Sequence, residues 1–162
     1  MRLSDQPSVT VETVMHAAPD EVFAVLSNLE TLAGFGTEFQ SCRWVGGRPG
    51  TLGSSFVGTQ RMGDREWEST STITTIEPNR SFGWTVGSAD DPVATWTFNQ
   101  RSVPDGTEVH YTVVVGTAPS GLSDAIERHP DSEDKIIEKR LMIFQENMVK
   151  TLEGVRRMVE RR

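Results

Sequence analysis

The sequence of 162 residues has little cysteine and histidine: Cys42 stands alone, and three histidines lie far apart. A lone cysteine cannot form an internal disulfide, and no group of residues has the spacing of a metal site. No stretch approaches the roughly 18 apolar residues of a membrane-spanning helix, and the first residues lack a secretory signal. We therefore expect one cytoplasmic domain over residues 1–162, without a transmembrane segment, metal or cofactor.

Positive charge is also scarce, because the formal net charge is −7 at pH 7. An excess of carboxylates opposes binding to a phosphate backbone, so we expect no nucleic-acid partner. The exception is the end of the chain, where residues 135–162 carry eight basic side chains against four acidic ones. Basic residues near the end of a helix complement its dipole without any ligand, and an anionic partner is the alternative.

The order of the local patterns predicts an α+β protein. Residues 8–16 are rich in β-branched side chains and predict a first strand. Pro19, followed by two acidic residues, then starts the first of one or two short helices. Six further strand-like stretches lie between residues 41 and 117, in the regular strand–turn order of an antiparallel sheet. From about Asp134 to Glu160, apolar residues recur at helical spacing and predict a long last helix.

This last helix must bury its apolar stripe, and the sheet is the only large surface available to it. A curved sheet around one helix leaves a pocket between them, which makes a small-molecule container the first function to consider. Residues 118–133 interrupt the strand pattern with Pro119, Gly121 and Pro130. They form either a short helix or a mobile flap.

Strand parity predicts which side chains face the pocket, because alternate residues of a strand share a face. Aromatic residues at this spacing are more often core than ligand wall when taken one by one. As a set in a hollow fold, we expect some of them to line a cavity. The candidates are Phe56, Gly58, Gln60, Trp67, Trp84, Trp96, Phe98 and Tyr111 from the sheet, with Leu141, Phe144 and Met148 from the last helix.

Polar residues on these faces are the candidates for chemistry. Gln60 either orients a polar group of a ligand or contacts water at the end of its strand. For Gln100 we expect contact with water at a strand end. His110 and Tyr111 point to opposite faces of the last strand, so that only one of them faces the pocket. The sequence has neither a Gly-Lys-Ser/Thr phosphate loop nor a nucleophile elbow.

Several stretches together carry a family pattern. They are Ala-Pro-Asp-Glu-Val-Phe-Ala-Val-Leu at 18–26, Gly-Ser-Ser-Phe-Val-Gly-Thr-Gln at 53–60, Trp67, Ile-Glu-Pro-Asn-Arg-Ser-Phe-Gly-Trp at 76–84 and Gly-Thr-Glu-Val at 106–109. The chain thereby resembles the polyketide cyclase/dehydrase-like branch of the SRPBCC superfamily, which includes START domains and birch-pollen-allergen-like proteins. The resemblance spans about residues 9–159. It implies a helix-grip fold, in which a seven-stranded antiparallel sheet curls around the C-terminal helix and encloses an apolar cavity.

Three functions follow as hypotheses. The first is binding or carriage of a small hydrophobic molecule, such as a lipid, polyketide or aromatic metabolite, by a monomer or homodimer. The second, implied by the resemblance, is a polyketide cyclase or dehydratase, for which Tyr111, His110 or Gln60 with water would supply the acid and base. The third is a protein-interaction module that uses a sheet edge or the basic last helix. We favour the first, because few ionisable groups are predicted in the pocket.

Overall fold

The computed structural model describes residues 1–160; Arg161 and Arg162, counted above in the basic end of the chain, lie outside the described residues. Each predicted strand and helix is present within a few residues of its expected bounds. The elements are β1 (Ser8–Met15), α1 (Pro19–Leu26), α2 (Leu29–Leu32), β2 (Phe39–Gly46), β3 (Ser55–Met62), β4 (Arg65–Glu77), β5 (Ser81–Gly87), β6 (Pro92–Val103), β7 (Gly106–Val115), α3 (Gly121–Arg128) and α4 (Glu133–Val159).

Seven strands form a single antiparallel sheet within the described residues, in the order β1-β7-β6-β5-β4-β3-β2. Neighbours in the sequence are neighbours in the sheet, except that β1 pairs with β7, so β1 and β2 are the two edges. The register shifts between Ile73 and Thr75 in β4 and at two places in β2. Such bulges bend a sheet and increase its twist, which gives this sheet a concave face.

The concave face and the apolar stripe of α4 form the core. Phe56, Ile73, Phe82 and Phe98 of the sheet are each at most 2% exposed, as strand parity predicts. The helix α4 contacts β1, α1, α2 and α3. This arrangement is the helix-grip fold that the family resemblance implies. No helix within residues 1–160 is long and apolar enough to cross a membrane.

The segment between β7 and α4 contains the helix α3, the first of the two alternatives left open by the sequence. Its start is fixed by a capping box, in which the Ser120 hydroxyl accepts from the Ser123 backbone and Ser123 accepts from the Ser120 backbone. Reciprocal capping satisfies backbone donors that a helix start leaves free. It also fixes the position of residues 119–121 beside the sheet.

Candidate functional site

A cavity of about 450 Å³ lies between the concave face of the sheet and the middle of α4, from Arg140 to Thr151. Its volume is within the range of about 300–1,000 Å³ that is usual for small-molecule pockets. The exposed part of its lining comes from β4, the end of β5 and the turn before α3, so the cavity opens between these segments. Seven aromatic residues of the described chain line it: Phe39, Phe56, Trp67, Trp84, Trp96, Tyr111 and Phe144.

Ring contacts join most of this aromatic wall into one frame. Trp84 and Trp96 stack with their ring centroids 6.3 Å apart and an interplanar angle of 13°. Trp96 also meets Phe144 of α4 edge-on at 5.1 Å and Tyr111 of β7 at 5.6 Å. Aromatic pairs in such geometries gain energy beyond the area that they bury. The frame therefore links the sheet to α4 across the cavity and holds its walls apart.

The hydroxyl of Tyr111 faces this cavity. Tyr111 is 6% exposed and lines the cavity, and its hydroxyl has no hydrogen-bond partner among the described residues. Among the described residues, two polar side-chain atoms are fully enclosed and have no hydrogen-bond partner, Gln100 Oε1 and Arg156 Nε. The Tyr111 oxygen is not one of them, so it is accessible from the cavity. Burial raises the pKa of Tyr111 well above its ordinary value. At neutral pH the phenol is therefore an uncharged donor and acceptor.

The two glutamines occupy different environments. Gln60 lines the cavity, and its Nε2 donates to Ser69 Oγ at 3.0 Å. Gln100 is only 8% exposed, and its Nε2 donates to the Pro19 carbonyl at 2.8 Å. The expectation that Gln100 meets water at a strand end is wrong, because α1 packs over this part of β6.

One ion pair lies in the cavity wall. The guanidinium of Arg140 from α4 donates to both carboxylate oxygens of Glu38, at 2.7 and 3.2 Å. The two side chains are 19% and 13% exposed, respectively. The same guanidinium lies over the ring of Phe144, 4.2 Å from its centroid. This cation–π contact and the bidentate ion pair with Glu38 fix the position of the Arg140 guanidinium.

The side chain of Asn147 connects α4 to the segment that carries Glu38. Its Oδ1 accepts from the backbone N–H groups of Thr37, at 2.6 Å, and Glu38, at 3.0 Å. It also accepts from the Thr37 hydroxyl at 2.8 Å. A Cβ on Gly36 would lie 2.9 Å from this oxygen, so a residue without a side chain allows the close approach. Asn147 thus holds one wall of the cavity against the helix.

Eight of the eleven sequence candidates lie on the cavity wall, namely Phe56, Gln60, Trp67, Trp84, Trp96, Tyr111, Phe144 and Met148. Gly58 is covered by the ring of Phe39, which approaches the strand because Gly58 has no side chain. Phe98 lies beneath Tyr111, with the two rings stacked at 4.0 Å. Leu141 packs against the core one position away from the α4 stripe that lines the cavity. These three are therefore not part of the wall.

The candidates for chemistry outside the cavity do not form a second site. His110 is on the opposite face of β7, where its Nε2 lies 2.9 Å from Glu108 Oε1. Arg101 also donates to that oxygen, and these hydrogen bonds lower the pKa of Glu108. Burial and the nearby carboxylate of Glu30 raise the pKa of the Cys42 thiol to about 11, so it stays protonated at neutral pH. Within residues 1–160 no cluster of ligand residues could hold a metal ion.

The sequence interpretation missed four polar residues of the wall, namely Glu38, Arg140, Asn147 and Thr151. On the helix, these residues extend the stripe of Phe144 and Met148, at the spacing of successive turns. That spacing was available from the sequence. A charged residue at its edge is ordinarily taken as solvent-facing, whereas the partner of Arg140 comes from a segment 102 residues earlier.

Solved structures with this fold come from several sources. A polyketide-cyclase-like protein from Corynebacterium glutamicum is 23% identical, with coverage of 94% of this chain and 91% of that protein and a TM-score of 0.65. Major latex-like protein 151 from Panax ginseng is 10% identical, with 94% and 97% covered and a TM-score of 0.65. The di-domain ARO/CYC StfQ of the steffimycin biosynthetic pathway is 11% identical, with 94% and 50% covered and a TM-score of 0.73.

At these identities the similarity concerns the fold. No curated protein sequence matches the chain. The sequence profile of one family, described as polyketide cyclase/dehydrase and lipid transport, matches residues 6–132. This match covers most of the chain and includes all seven strands together with α1, α2 and α3. The chain therefore belongs to the polyketide cyclase/dehydrase and lipid transport family.

Proposed function

We propose that the chain binds a small, largely aromatic molecule in the cavity between the sheet and α4. The observation that carries this proposal is the cavity of about 450 Å³ with its wall of braced aromatic rings. Burying apolar ligand surface there would contribute about 25 cal/mol per Å² before the costs of association. The proposed contacts are the eight sequence candidates on the wall.

The polar groups of the wall suit recognition better than chemistry. Tyr111 is held neutral by burial and can donate a hydrogen bond, but it cannot act as a base near pH 7. Glu38 already accepts two hydrogen bonds from Arg140. We therefore favour carriage or sensing of a ligand over catalysis.

A cyclase or dehydratase is the second candidate, and the free hydroxyl of Tyr111 is the observation that favours it. A neutral phenol inside a largely apolar cavity could polarise a ketone by hydrogen bonding. If this is the function, Tyr111→Phe should abolish turnover of a polyketone substrate while leaving its binding within a few-fold of wild type. Equal turnover in Tyr111→Phe would remove Tyr111 from the chemistry.

The binding proposal can be tested with the uncharged fluorophore N-phenyl-1-naphthylamine. Ser71 is 2% exposed, lines the cavity and has no hydrogen-bond partner among the described residues, so a larger side chain there extends into the cavity. We expect Ser71→Phe to weaken binding at least about tenfold, a loss of roughly 1.4 kcal/mol. Asn99→Phe, on the exposed outer face of β6, is the control and should bind as wild type does.

Circular dichroism would verify that each variant is folded, and Ser71→Leu offers a smaller plug if Ser71→Phe is not. Unchanged binding by a folded Ser71 variant would place the fluorophore outside the cavity. Native mass spectrometry of freshly purified protein is an independent measurement. A mass excess that disappears on denaturation would identify a captured ligand.

A further inference from the structure

The ion pair of Glu38 and Arg140 differs from the surface ion pairs of this protein in its surroundings. Both side chains are mostly buried, and both line the cavity. For comparison, the side chains of the Arg61–Glu66 pair on the β3–β4 hairpin are 57% and 56% exposed. Charges that are removed from water interact more strongly than exposed ones, because screening is weaker. Whether Arg140 is paired with Glu38 therefore changes the electrostatic energy of any molecule inside the cavity.

The guanidinium of Arg140 is positioned as a ligand-facing group. It lies over the ring of Phe144, which itself forms part of the cavity wall. A guanidinium has five N–H donors. Glu38 accepts from the two terminal nitrogens, and Nη1 also lies 3.5 Å from the Met62 sulfur. Without the carboxylate of Glu38, this would be a preorganised site for an anion.

Glu38 cancels that positive charge. The charged groups in the described lining are Arg140, Glu38 and the exposed Glu68, which leaves the wall with a net charge of −1. A ligand carboxylate or sulfonate that approached Arg140 would meet the Glu38 carboxylate at the same guanidinium. It would lose its hydration and gain little attraction in return. An uncharged ligand avoids this cost.

We infer that Glu38 is a specificity-determining residue, which neutralises Arg140 and thereby restricts the cavity to uncharged ligands. The inference rests on the proposed function, because it requires a ligand in this cavity. It predicts that removing the charge of Glu38 converts the cavity into one that accepts an anionic aromatic molecule.

A purely mechanical role of the pair would be to clamp the segment of Glu38 against α4. The backbone of Glu38 has other anchors for this purpose. Its N–H donates to Asn147 Oδ1 at 3.0 Å, and its carbonyl accepts from the Arg61 N–H at 2.8 Å. These two bonds do not involve the Glu38 side chain, so the segment stays in place when the carboxylate is replaced by an amide.

The experiment compares two fluorophores that share one ring system, N-phenyl-1-naphthylamine, which is uncharged, and 8-anilinonaphthalene-1-sulfonate, which is an anion. Wild-type protein should bind the uncharged probe more tightly. In Glu38→Gln, the affinity for the anion relative to the uncharged probe should rise about tenfold or more, as expected for a hydrogen bond to an unbalanced charge. A mechanical clamp predicts that both affinities change together.

Two further variants separate the charge of Arg140 from general effects. Glu66→Gln also removes a carboxylate paired with an arginine, but outside the cavity, and should leave the affinity ratio within about twofold of wild type. In the double variant Glu38→Gln/Arg140→Met, the gain for the anion should disappear, because the cation is gone. If the gain persists there, Arg140 is not its source and the inference is wrong.

The outcomes also separate this inference from the proposed function. If wild type binds the uncharged probe but Glu38→Gln leaves the ratio unchanged, the selectivity inference falls and the proposed function stands. If the wild type prefers the anion, the inference is equally overturned. If neither wild type nor Glu38→Gln binds either probe, the proposed function and the inference fall together.

Discussion

Two parts of α4 have different surroundings. Leu152, Val155 and Val159 of the C-terminal half are at most 6% exposed and pack into the solid core with α1 and β1. The stretch before them, from Arg140 to Thr151, borders the cavity. One continuous helix thus closes a packed end of the protein and forms the wall of a hollow end.

The difference between the ends follows from side-chain shape. Aliphatic residues at the packed end interdigitate at the density typical of protein interiors. At the hollow end, Trp84, Trp96 and Phe144 brace one another at centroid distances of 5.1–6.3 Å. Large rigid rings that are already in contact cannot move inward to fill the remaining space. We conclude that this end is held open by its own aromatic residues.

Truncating a leucine side chain at each end should have the largest effect on the free energy of unfolding and tests this comparison. Leu26 of α1 is 0% exposed in the packed core, and Leu32 of α2 is 3% exposed but borders the cavity. Leu26→Ala should lower the free energy of unfolding by about 2–5 kcal/mol, because it creates a new cavity. Leu32→Ala should cost only about 1–2 kcal/mol, close to the transfer term alone.

Urea unfolding of the two variants beside wild type provides the measurement. Because both changes remove the same atoms from almost fully buried sites, their difference reports the surroundings alone. Equal losses would mean that Leu32 is packed as tightly as Leu26, which would contradict the comparison.

A smaller effect is expected at Gly154, in the packed part of α4. The ring of Phe35 rests on this glycine, since an added Cβ would lie 2.5 Å from the ring's Cγ. Glycine inside a helix ordinarily costs about 1 kcal/mol relative to alanine. Overpacking against a ring costs about 1–3 kcal/mol, so Gly154→Ala should destabilise the protein by about 1 kcal/mol in thermal or chemical denaturation.

The matched control removes the ring. In a Phe35→Ala background the same Gly154→Ala change should become stabilising, because only the helix propensity remains. A double-mutant cycle measures this reversal directly. Stabilisation by Gly154→Ala in the wild-type background would show that the ring is not confined there.

The smallest effect concerns Tyr111 at the hollow end. Its hydroxyl has no partner among the described residues, so Tyr111→Phe should change the free energy of unfolding at pH 7 by less than about 0.5 kcal/mol. A larger loss would reveal a hydrogen bond that holds the cavity wall together. Equilibrium unfolding in urea is sensitive enough to separate the two results.

The same residue gives a pH-dependent signal. Burial raises the pKa of Tyr111 in the folded protein, whereas in the unfolded chain the phenol ionises near its ordinary value of about 10. The folded state therefore retains the proton longer, and stability falls as pH rises above about 10. Because Tyr111 is the only tyrosine in the sequence, phenolate absorbance should appear only as the protein unfolds. Its appearance before the loss of secondary structure would contradict this.

The fold could be predicted from the sequence because its information is local. Turns and alternation predicted the strands, and the capping residue Ser120 has a helix directly after it. Parity predicted the inner faces well enough to place Trp84 and Trp96 on the same side of the sheet, but it left open whether Tyr111 or His110 faces that side. It could not predict how far the cavity extends, and it therefore also selected Phe98, which lies beneath the ring of Tyr111.

The polar half of the site depends on long-range pairing, which a single sequence does not display. The sequence marks Arg140 only as part of the basic end of the chain, and no pattern distinguishes Glu38. Their pairing requires the segment before β2 to fold back onto α4, where Asn147 holds it. Periodicity describes one element at a time, whereas this part of the wall exists only where two distant elements meet.

The hydrogen bonds of Asn147 have a consequence for amide exchange. Its Oδ1 accepts from the N–H groups of both Thr37 and Glu38, so neither can exchange with solvent until the segment leaves the helix. The two amides should therefore exchange at rates set by one shared opening, although they lie outside any helix and just before the first residue of β2. Hydrogen–deuterium exchange at these two positions would report how often this wall of the cavity opens.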